Sequence, residues 1–253
     1  MNYQTVSQLD ARKSFDEVEE EEESGFLSNL KLNPPYAIAY LFFIAVAAYV
    51  PAGASQTLLE QFIADPLNPG FNELFLAEFN ALGLIGIPMA CLLMPGAKGQ
   101  SLPAPPFLIA SSFAGYGGLG IYMSTRKSPD VNDNEGIGFV TKNILENKIF
   151  NWLIVAFSIS NLFVSGTVSA FLNDSQLLFS GYSDFLASSA LGFVSTVDLA
   201  ILTLTAASLI PEDLERRGMT DSNKANTIAL STCLLPVIGA CLYCALRPSL
   251  PEE

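Results

Sequence analysis

Six separate apolar stretches recur along this chain of 253 residues, and each is long enough to cross the roughly 30 Å hydrocarbon core of a bilayer. Because hydrocarbon offers the backbone no hydrogen bonds, such stretches pair their amides internally as helices. We therefore predict an all-α fold, a polytopic transmembrane bundle of about six helices. The predicted spans cover residues 36–54, 72–94, 105–123, 149–172, 185–210 and 227–246.

The start of the chain has a different composition. Residues 1–33 contain the run EVEEEEES, which has no apolar periodicity and carries charges that repel one another. We predict a disordered acidic tail over residues 1–33 and a transmembrane helical domain over residues 34–253. The net charge is −13 and the 12 basic residues are dispersed, so nucleic acid is not expected as a partner.

Several kinds of chemistry lack their usual residues. The chain contains no His, which is the common base of hydrolytic triads and a common ligand of zinc and haem iron. It also has no GxxxxGK phosphate loop. We therefore predict no catalytic residues, no metal site and no enzymatic activity. The sequence carries no haem, zinc or nucleotide signature, and the cofactor stays unknown. Pigment binding stays open, because Asn, Glu or backbone carbonyls can ligate magnesium without His.

Two consecutive predicted helices each carry one polar face. At 100° per residue, the polar residues of the fourth span fall within an arc of about 80°, and those of the fifth span form a similar stripe. Asn161 and Asp198 lie near the middle of these two spans, which a short loop would make antiparallel neighbours. Two interpretations stay open: a proton, cation or polar-substrate path, or a lock between helices. The residues of this path or lock are Asn161, Ser165, Ser195 and Asp198.

Three arginines lie at the predicted ends of membrane helices. Arg216 and Arg217 follow the fifth span, and Arg247 follows the sixth. Cations at such positions contact anionic lipid headgroups and complement the C-terminal helix dipole. We therefore expect membrane lipids as partners, together with other membrane protein subunits, and we assign Arg216, Arg217 and Arg247 to lipid or partner contact.

The distribution of basic residues bears on orientation, since short cytoplasmic loops carry an excess of Lys and Arg. Six crossings would divide these residues seven to three between the two membrane faces. One face would carry Arg126, Lys127, Lys142, Lys148, Arg216, Arg217 and Lys224. The other face would carry Lys31, Lys98 and Arg247.

Three segments carry a resemblance. They are AEFNALGLIGIPMACLLMP with SLPAPPFLIASSFAGYGGLGIY, then STVDLAILTLTAASLIPEDLERRG, and finally LLPVIGACLYCALRPSLP. Together they resemble uncharacterised multi-pass membrane proteins of cyanobacteria and plastids, over about half of the chain. The resemblance implies a thylakoid or plastid-envelope membrane, but no reaction. The positions that it carries over are Asp198, Asp213, Arg216, Arg217, Arg247 and Pro248.

The sequence thus favours a non-enzymatic, multi-pass integral membrane protein. We expect an accessory subunit or assembly factor of a larger membrane complex, which the resemblance would place among photosynthetic thylakoid complexes. Short loops with few charges and small-residue helix faces are typical of such subunits. The alternative is a small proton- or cation-coupled transporter that uses the polar path between the fourth and fifth predicted helices.

Overall fold

The computed structural model describes residues 31–50, 55–65, 69–129, 131 and 138–251. All regular elements in these ranges are helical, which confirms the predicted all-α class. Residues 1–30, most of the predicted acidic tail, lie outside the described residues. The α-helices of the described ranges are α1 (Pro34–Tyr49), α2 (Ser55–Ala64), α3 (Glu73–Leu93), α4 (Ala104–Ala114), α5 (Tyr116–Thr125), α6 (Lys148–Val164), α7 (Thr167–Ser188), α8 (Ala190–Arg216), α9 (Ser222–Thr232) and α10 (Ile238–Leu246).

Two of these helices are long and apolar enough to cross a membrane. They are α3 with the 3₁₀ turn that extends it (Glu73–Gly96) and α8. A third candidate span exists if α6 and α7, which are bent by 49° at their junction, count as one. Within the described residues, the prediction of about six continuous spans is therefore wrong. The predicted span 36–54 contains the 16-residue helix α1, which is too short for a candidate span, and its residues 51–54 lie outside the described residues. The predicted spans 105–123, 149–172 and 227–246 are each divided between two helices.

The two long helices pack side by side and run parallel. Near their first turns, the Tyr182 hydroxyl lies within hydrogen-bond distance of both Glu78 on α3 and Thr196 on α8. Near their last turns, Arg247 donates both to the carbonyl of Cys91 on α3 and to Asp213 on α8. These contacts join the start of α3 to the start of α8 and the end of α3 to the end of α8, so the two helices run in the same direction.

The predicted third span is a helical hairpin rather than a crossing. Gly115 ends α4 with φ +53°, a conformation that L side chains rarely adopt. The chain then folds back, and α5 packs closely on α4. A Cβ built on Gly118 of α5 would lie only 2.6 Å from the carbonyl carbon of Ala110 on α4. Gln100 before α4 and Lys127 after α5 exchange two hydrogen bonds of 2.9 and 2.8 Å. Both ends of the hairpin therefore lie at the same end of the bundle.

The predicted sixth span is a second hairpin. Val237, at the turn between α9 and α10, has φ +64°, and this reverses the chain. The two helices cross closely at Gly239, where a Cβ would lie 2.1 Å from the carbonyl oxygen of Thr232. Arg217 before α9 and Arg247 after α10 both bind one carboxylate, that of Glu146. The two ends of this hairpin also meet.

The predicted fourth and fifth spans have different boundaries in the structure. Gly166, with φ +81°, separates α6 from α7, so the fourth predicted span breaks before its end at residue 172. Helix α8 begins at Ala190, where the side chain of Ser189 accepts a hydrogen bond from the amide of Gly192. It continues past residue 210 to Arg216, at the end of the bundle where Arg217 makes ion pairs with Glu146 and Asp213.

All ten Lys and Arg residues of the described ranges lie at one end of the bundle, which we call the basic end. Arg126, Arg217 and Arg247 make ion pairs there. The side chains of Lys98, Lys127 and Arg216 line one surface depression beside them. The remaining four belong to segments that reach the same end: Lys31 before α1, Lys142 and Lys148 before and at the start of α6, and Lys224 in the first turn of α9.

Candidate functional site

Asp198, the predicted midpoint of the polar stripe on α8, is buried and caps another helix. Its Oδ1 accepts a 2.7 Å hydrogen bond from the amide of Tyr116, the first residue of α5. The first amides of a helix have no partner within that helix, and its N-terminus attracts negative charge. The carboxylate satisfies both demands at the break of the α4–α5 hairpin.

Gly115 makes this contact possible. A Cβ at this position would lie 1.6 Å from Oδ2 of Asp198 and 2.4 Å from its Cγ. Glycine adopts the positive φ readily, and because it has no side chain, the carboxylate can approach its backbone. Asp198 and Gly115 therefore act as a pair, although 83 positions of sequence separate them.

The other predicted residues of the stripes bind elsewhere. Asn161 donates through Nδ2 to the carbonyl of Ala77 on α3, at 2.7 Å. Ser165 lies 2.8 Å from the hydroxyl of Thr167, which donates in turn to the carbonyl of Glu73. Ser195 is buried on α8. No hydrogen bond joins Asn161 to Asp198 in the described part of the chain, so the four residues do not form one continuous polar path.

A buried charged cluster at the basic end centres on Asp213 of α8. Its Oδ2 accepts from Arg217 Nε at 2.8 Å and from the hydroxyl of Tyr243 at 2.6 Å. Its Oδ1 accepts from Arg247 Nη1 at 3.2 Å. Asp213 is 2% exposed, so all of these bonds form away from solvent. The carboxylate joins the end of α8 to α10 and to the segment after it.

Glu146, in the turn before α6, completes the cluster. Its Oε1 accepts from Arg217 Nη2 at 2.8 Å and from Arg247 Nη2 at 2.7 Å. Arg247 also donates to the carbonyl of Cys91 at 3.0 Å, and Arg217 donates to the carbonyl of Pro248. Two guanidinium groups and two carboxylates balance in charge, and together they tie α3, α6, α8 and α10 to one another.

The electrostatics of the cluster keep its arginines charged. Burial alone lowers the pKa of Arg247, but the electrostatic interactions with Asp213, Cys244 and Glu146 together outweigh that effect, and the pKa lies above its ordinary value. Burial likewise lowers the pKa of Arg217, but its hydrogen bonds to Glu146 and the charge of Asp213 raise that pKa. The net result is a pKa above the ordinary value. Neither side chain can act as a proton donor or acceptor at physiological pH.

A second ion pair fastens the α4–α5 hairpin to α8. The guanidinium of Arg126, directly after α5, binds both oxygens of Glu212 at 2.8 and 2.6 Å. This bidentate geometry is the strongest that an arginine forms with a carboxylate. Each hairpin is thus held at its basic end by an arginine that binds an acidic residue of α8.

The arginines assigned to lipid or partner contact are buried. Arg216, Arg217 and Arg247 are 3%, 8% and 3% exposed. The last two bind carboxylates of the same chain, so these contacts rather than lipid or a partner account for their positions here, and the predicted lipid or partner contact stays a prediction. The hairpins bring Glu146, Asp213 and the segment after α10 to one place, which the linear sequence does not indicate.

Sequence reasoning did not assign a role to Glu146, Asp213, Tyr243, Arg126 or Glu212. One local signal was present: Asp213 and Arg217 are four residues apart, the spacing at which opposite charges meet on a helix. The other contacts join positions separated by 30 to 101 residues. No local pattern could have shown them.

The cluster consists of hydrogen bonds and ion pairs between groups of the same chain. Among the described residues, no group of three or more His, Cys, Asp and Glu side chains could hold a metal ion. The chain matches no protein-family model, no curated protein and no solved structure at a significant level.

Proposed function

We propose that this chain is a non-enzymatic, multi-pass membrane protein that serves as an accessory subunit or assembly factor of a larger membrane complex. The observation that supports this proposal is the exposed tip of the α9–α10 hairpin, residues 233–237. In the tip, Leu234 is 80% exposed and Leu235 is 53% exposed. The backbone between Thr232 and Ile238 is not part of an α-helix.

The depth of this tip makes its exposure significant. Leu235 and Pro236 line the same cavity as Thr203 and Leu204, which are near the middle of the 27-residue helix α8. If α8 crosses the bilayer, the tip lies close to the centre of the hydrocarbon. Irregular backbone is tolerated at that depth only where protein or a water-filled cavity covers it. A neighbouring protein chain packed on the tip meets this requirement.

The polar residues favour the same proposal over transport. Asp198 caps α5, Asn161 binds a carbonyl of α3, and Ser165 bonds to Thr167. These contacts are of the kind that hold membrane helices together. A proton or cation path would need groups that are free to exchange partners along the membrane normal. The lock between helices is therefore the better interpretation of the two stripes.

The membrane that would hold the complex follows from the resemblance. The quoted segments cover most of α3, α4, α5, α8 and α10. On this resemblance we propose a plastid membrane as the location, with the thylakoid as the first candidate and a photosynthetic complex as the partner. Co-migration of the tagged protein with thylakoid markers during membrane fractionation would test this location.

The partner can be tested with a photo-crosslinking amino acid at Leu234, introduced into the full chain in its native membrane. The matched control is the same amino acid at Phe157, which is also exposed but lies within the regular helix α6. We expect position 234 to form a discrete protein adduct, identified by mass spectrometry, and position 157 to label mainly lipid. Lipid adducts alone at both positions, from a chain that purifies as a monomer, would contradict the proposal.

A further inference from the structure

A cavity of about 550 Å³ opens on the side of the bundle, between α3, α6, α7, α8 and the tip of the α9–α10 hairpin. Most of its wall is apolar and includes Leu74, Leu162, Leu199 and Ile238. Ligand pockets in proteins are typically of this size, mostly apolar and supplied with a few polar groups that fix orientation.

Two polar groups in the wall of the cavity lack partners. Oε1 of Glu78 and Oγ1 of Thr203 are buried, and neither has a hydrogen-bond partner in the described part of the chain. The other carboxylate oxygen of Glu78 accepts from the hydroxyl of Tyr182, which also lies 3.0 Å from the hydroxyl of Thr196. Buried polar atoms without partners cost free energy and mark positions where a further molecule can bind.

The positions of the two atoms define the shape of a ligand. Thr196, beside Glu78, and Thr203 are seven residues apart on α8, which corresponds to about 10 Å along a helix. Glu78 lies near the start of α3, at the end of the bundle away from the basic end, and Thr203 lies near the middle of α8. A ligand would thus place its head at Glu78 and extend its body toward the hairpin tip.

The apolar surroundings favour a neutral head. Burial of a charged head in an apolar wall costs far more than burial of a hydroxyl group. A hydroxyl can donate to the unpartnered oxygen of Glu78, and an ester oxygen further along the same molecule can accept from Thr203. The side of the cavity is also formed by Leu204 and Leu235, which are exposed on the outer surface, so a membrane lipid can enter from the bilayer.

We infer that this cavity binds a membrane lipid with a neutral hydroxyl head, held by Glu78 and Thr203. The cavity shares Leu235 and Pro236 with the hairpin tip that supports the proposed subunit role. The inference does not rest on that role, because the hydrogen-bonding groups Glu78 and Thr203 lie on α3 and α8, outside the tip.

The test uses the full-length protein in lipid nanodiscs and a diacylglycerol with a diazirine in one acyl chain. Phosphatidylcholine with the same diazirine-bearing chain is the matched probe, because its head has no hydrogen-bond donor. We expect the diacylglycerol to label the residues of the cavity in competition with unlabelled diacylglycerol. Equal labelling by both probes would overturn the proposal.

Variants separate the hydrogen bonds from the shape of the cavity. Thr203→Val keeps the size of the side chain and removes one bond, so labelling should fall about two- to tenfold. Glu78→Gln places one acceptor oxygen and one NH2 donor at these positions, and a hydroxyl can accept from the NH2 as well as donate to the oxygen, so labelling should be retained. An ammonium head, in contrast, would require the carboxylate. Leu204→Trp should fill the cavity and abolish labelling.

Leu230→Trp, at an exposed position on α9 outside the cavity, is the control and should change nothing. Circular dichroism establishes that each variant is folded. If Leu204→Trp is folded and labelling persists, the cavity is not the lipid site. If labelling of the cavity is blocked by a co-purified protein chain, a partner rather than a lipid fills it, and the inference is wrong.

Discussion

Asp213 accepts hydrogen bonds from Arg217, Arg247 and Tyr243 inside the basic end. A buried ion pair by itself adds little net stability, because both charges lose their hydration. Removal of one partner is different, since it leaves the other charge buried without compensation. The contribution of this residue should therefore appear clearly in a single substitution.

Asp213→Asn should lower the free energy of unfolding by about 3–5 kcal/mol, because Arg217 and Arg247 would then share only the carboxylate of Glu146. Equilibrium unfolding in detergent micelles, followed by helical circular dichroism, measures this loss. Glu215→Gln is the matched control on the same turn, and its exposed side chain predicts a change of about 0.5 kcal/mol or less. Equal effects of the two substitutions would contradict the cluster as described.

At the scale of elements, the break between α4 and α5 depends on one contact between a helix end and a side chain of α8. Gly115 provides the turn, and the carboxylate of Asp198 provides the cap. Two short helices thereby replace a single span. The hairpin is held at its tip by this cap and at its basic end by the Arg126–Glu212 pair.

Gly115→Ala should destabilise the protein by roughly 2–5 kcal/mol, from the left-handed backbone strain and from the overlap of the new Cβ with Asp198. Thermal unfolding in detergent measures the change. Gly99→Ala separates the two causes, because Gly99 has φ +74° with nothing within 4 Å of the added Cβ. That control should cost about 1–2 kcal/mol from strain alone. If Gly115→Ala costs no more, the close approach of Asp198 is wrong.

At the scale of the whole molecule, the hairpins give the bundle a single basic end. The sequence alone divided the Lys and Arg residues seven to three between two faces. In the structure the ten described basic residues are all at one end, because α4–α5 and α9–α10 each return to the end from which they start. The positive-inside rule then predicts that this end faces the cytoplasm or the equivalent compartment.

Sidedness can be measured with a membrane-impermeant maleimide in sealed vesicles, in a variant whose four native cysteines are replaced by Ala. Lys127→Cys and Lys224→Cys should be labelled from the same side, since both positions lie at the basic end. Asp174→Cys, in α7 near the opposite end, should be labelled only from the other side. Labelling of Lys127→Cys and Lys224→Cys from opposite sides would show that one hairpin crosses the membrane.

The sequence was sufficient for properties that arise from neighbouring residues. Apolar composition and backbone hydrogen bonding require helices, and the observed α3 begins within a residue of its predicted span. The polar stripes also placed Asp198 on a buried face of α8. These features depend on residues that are close in the chain, so a single sequence carries enough information to predict them.

Only the tertiary structure decided whether an apolar stretch crosses or turns back. Gly115 and Val237 reverse the chain because Asp198 and the close crossing at Gly239 support those reversals from distant positions. The same is true of Arg247, whose partners Asp213 and Glu146 lie 34 and 101 residues away. Hydropathy records how much a segment prefers hydrocarbon, but the direction of the chain within hydrocarbon is set by contacts between segments.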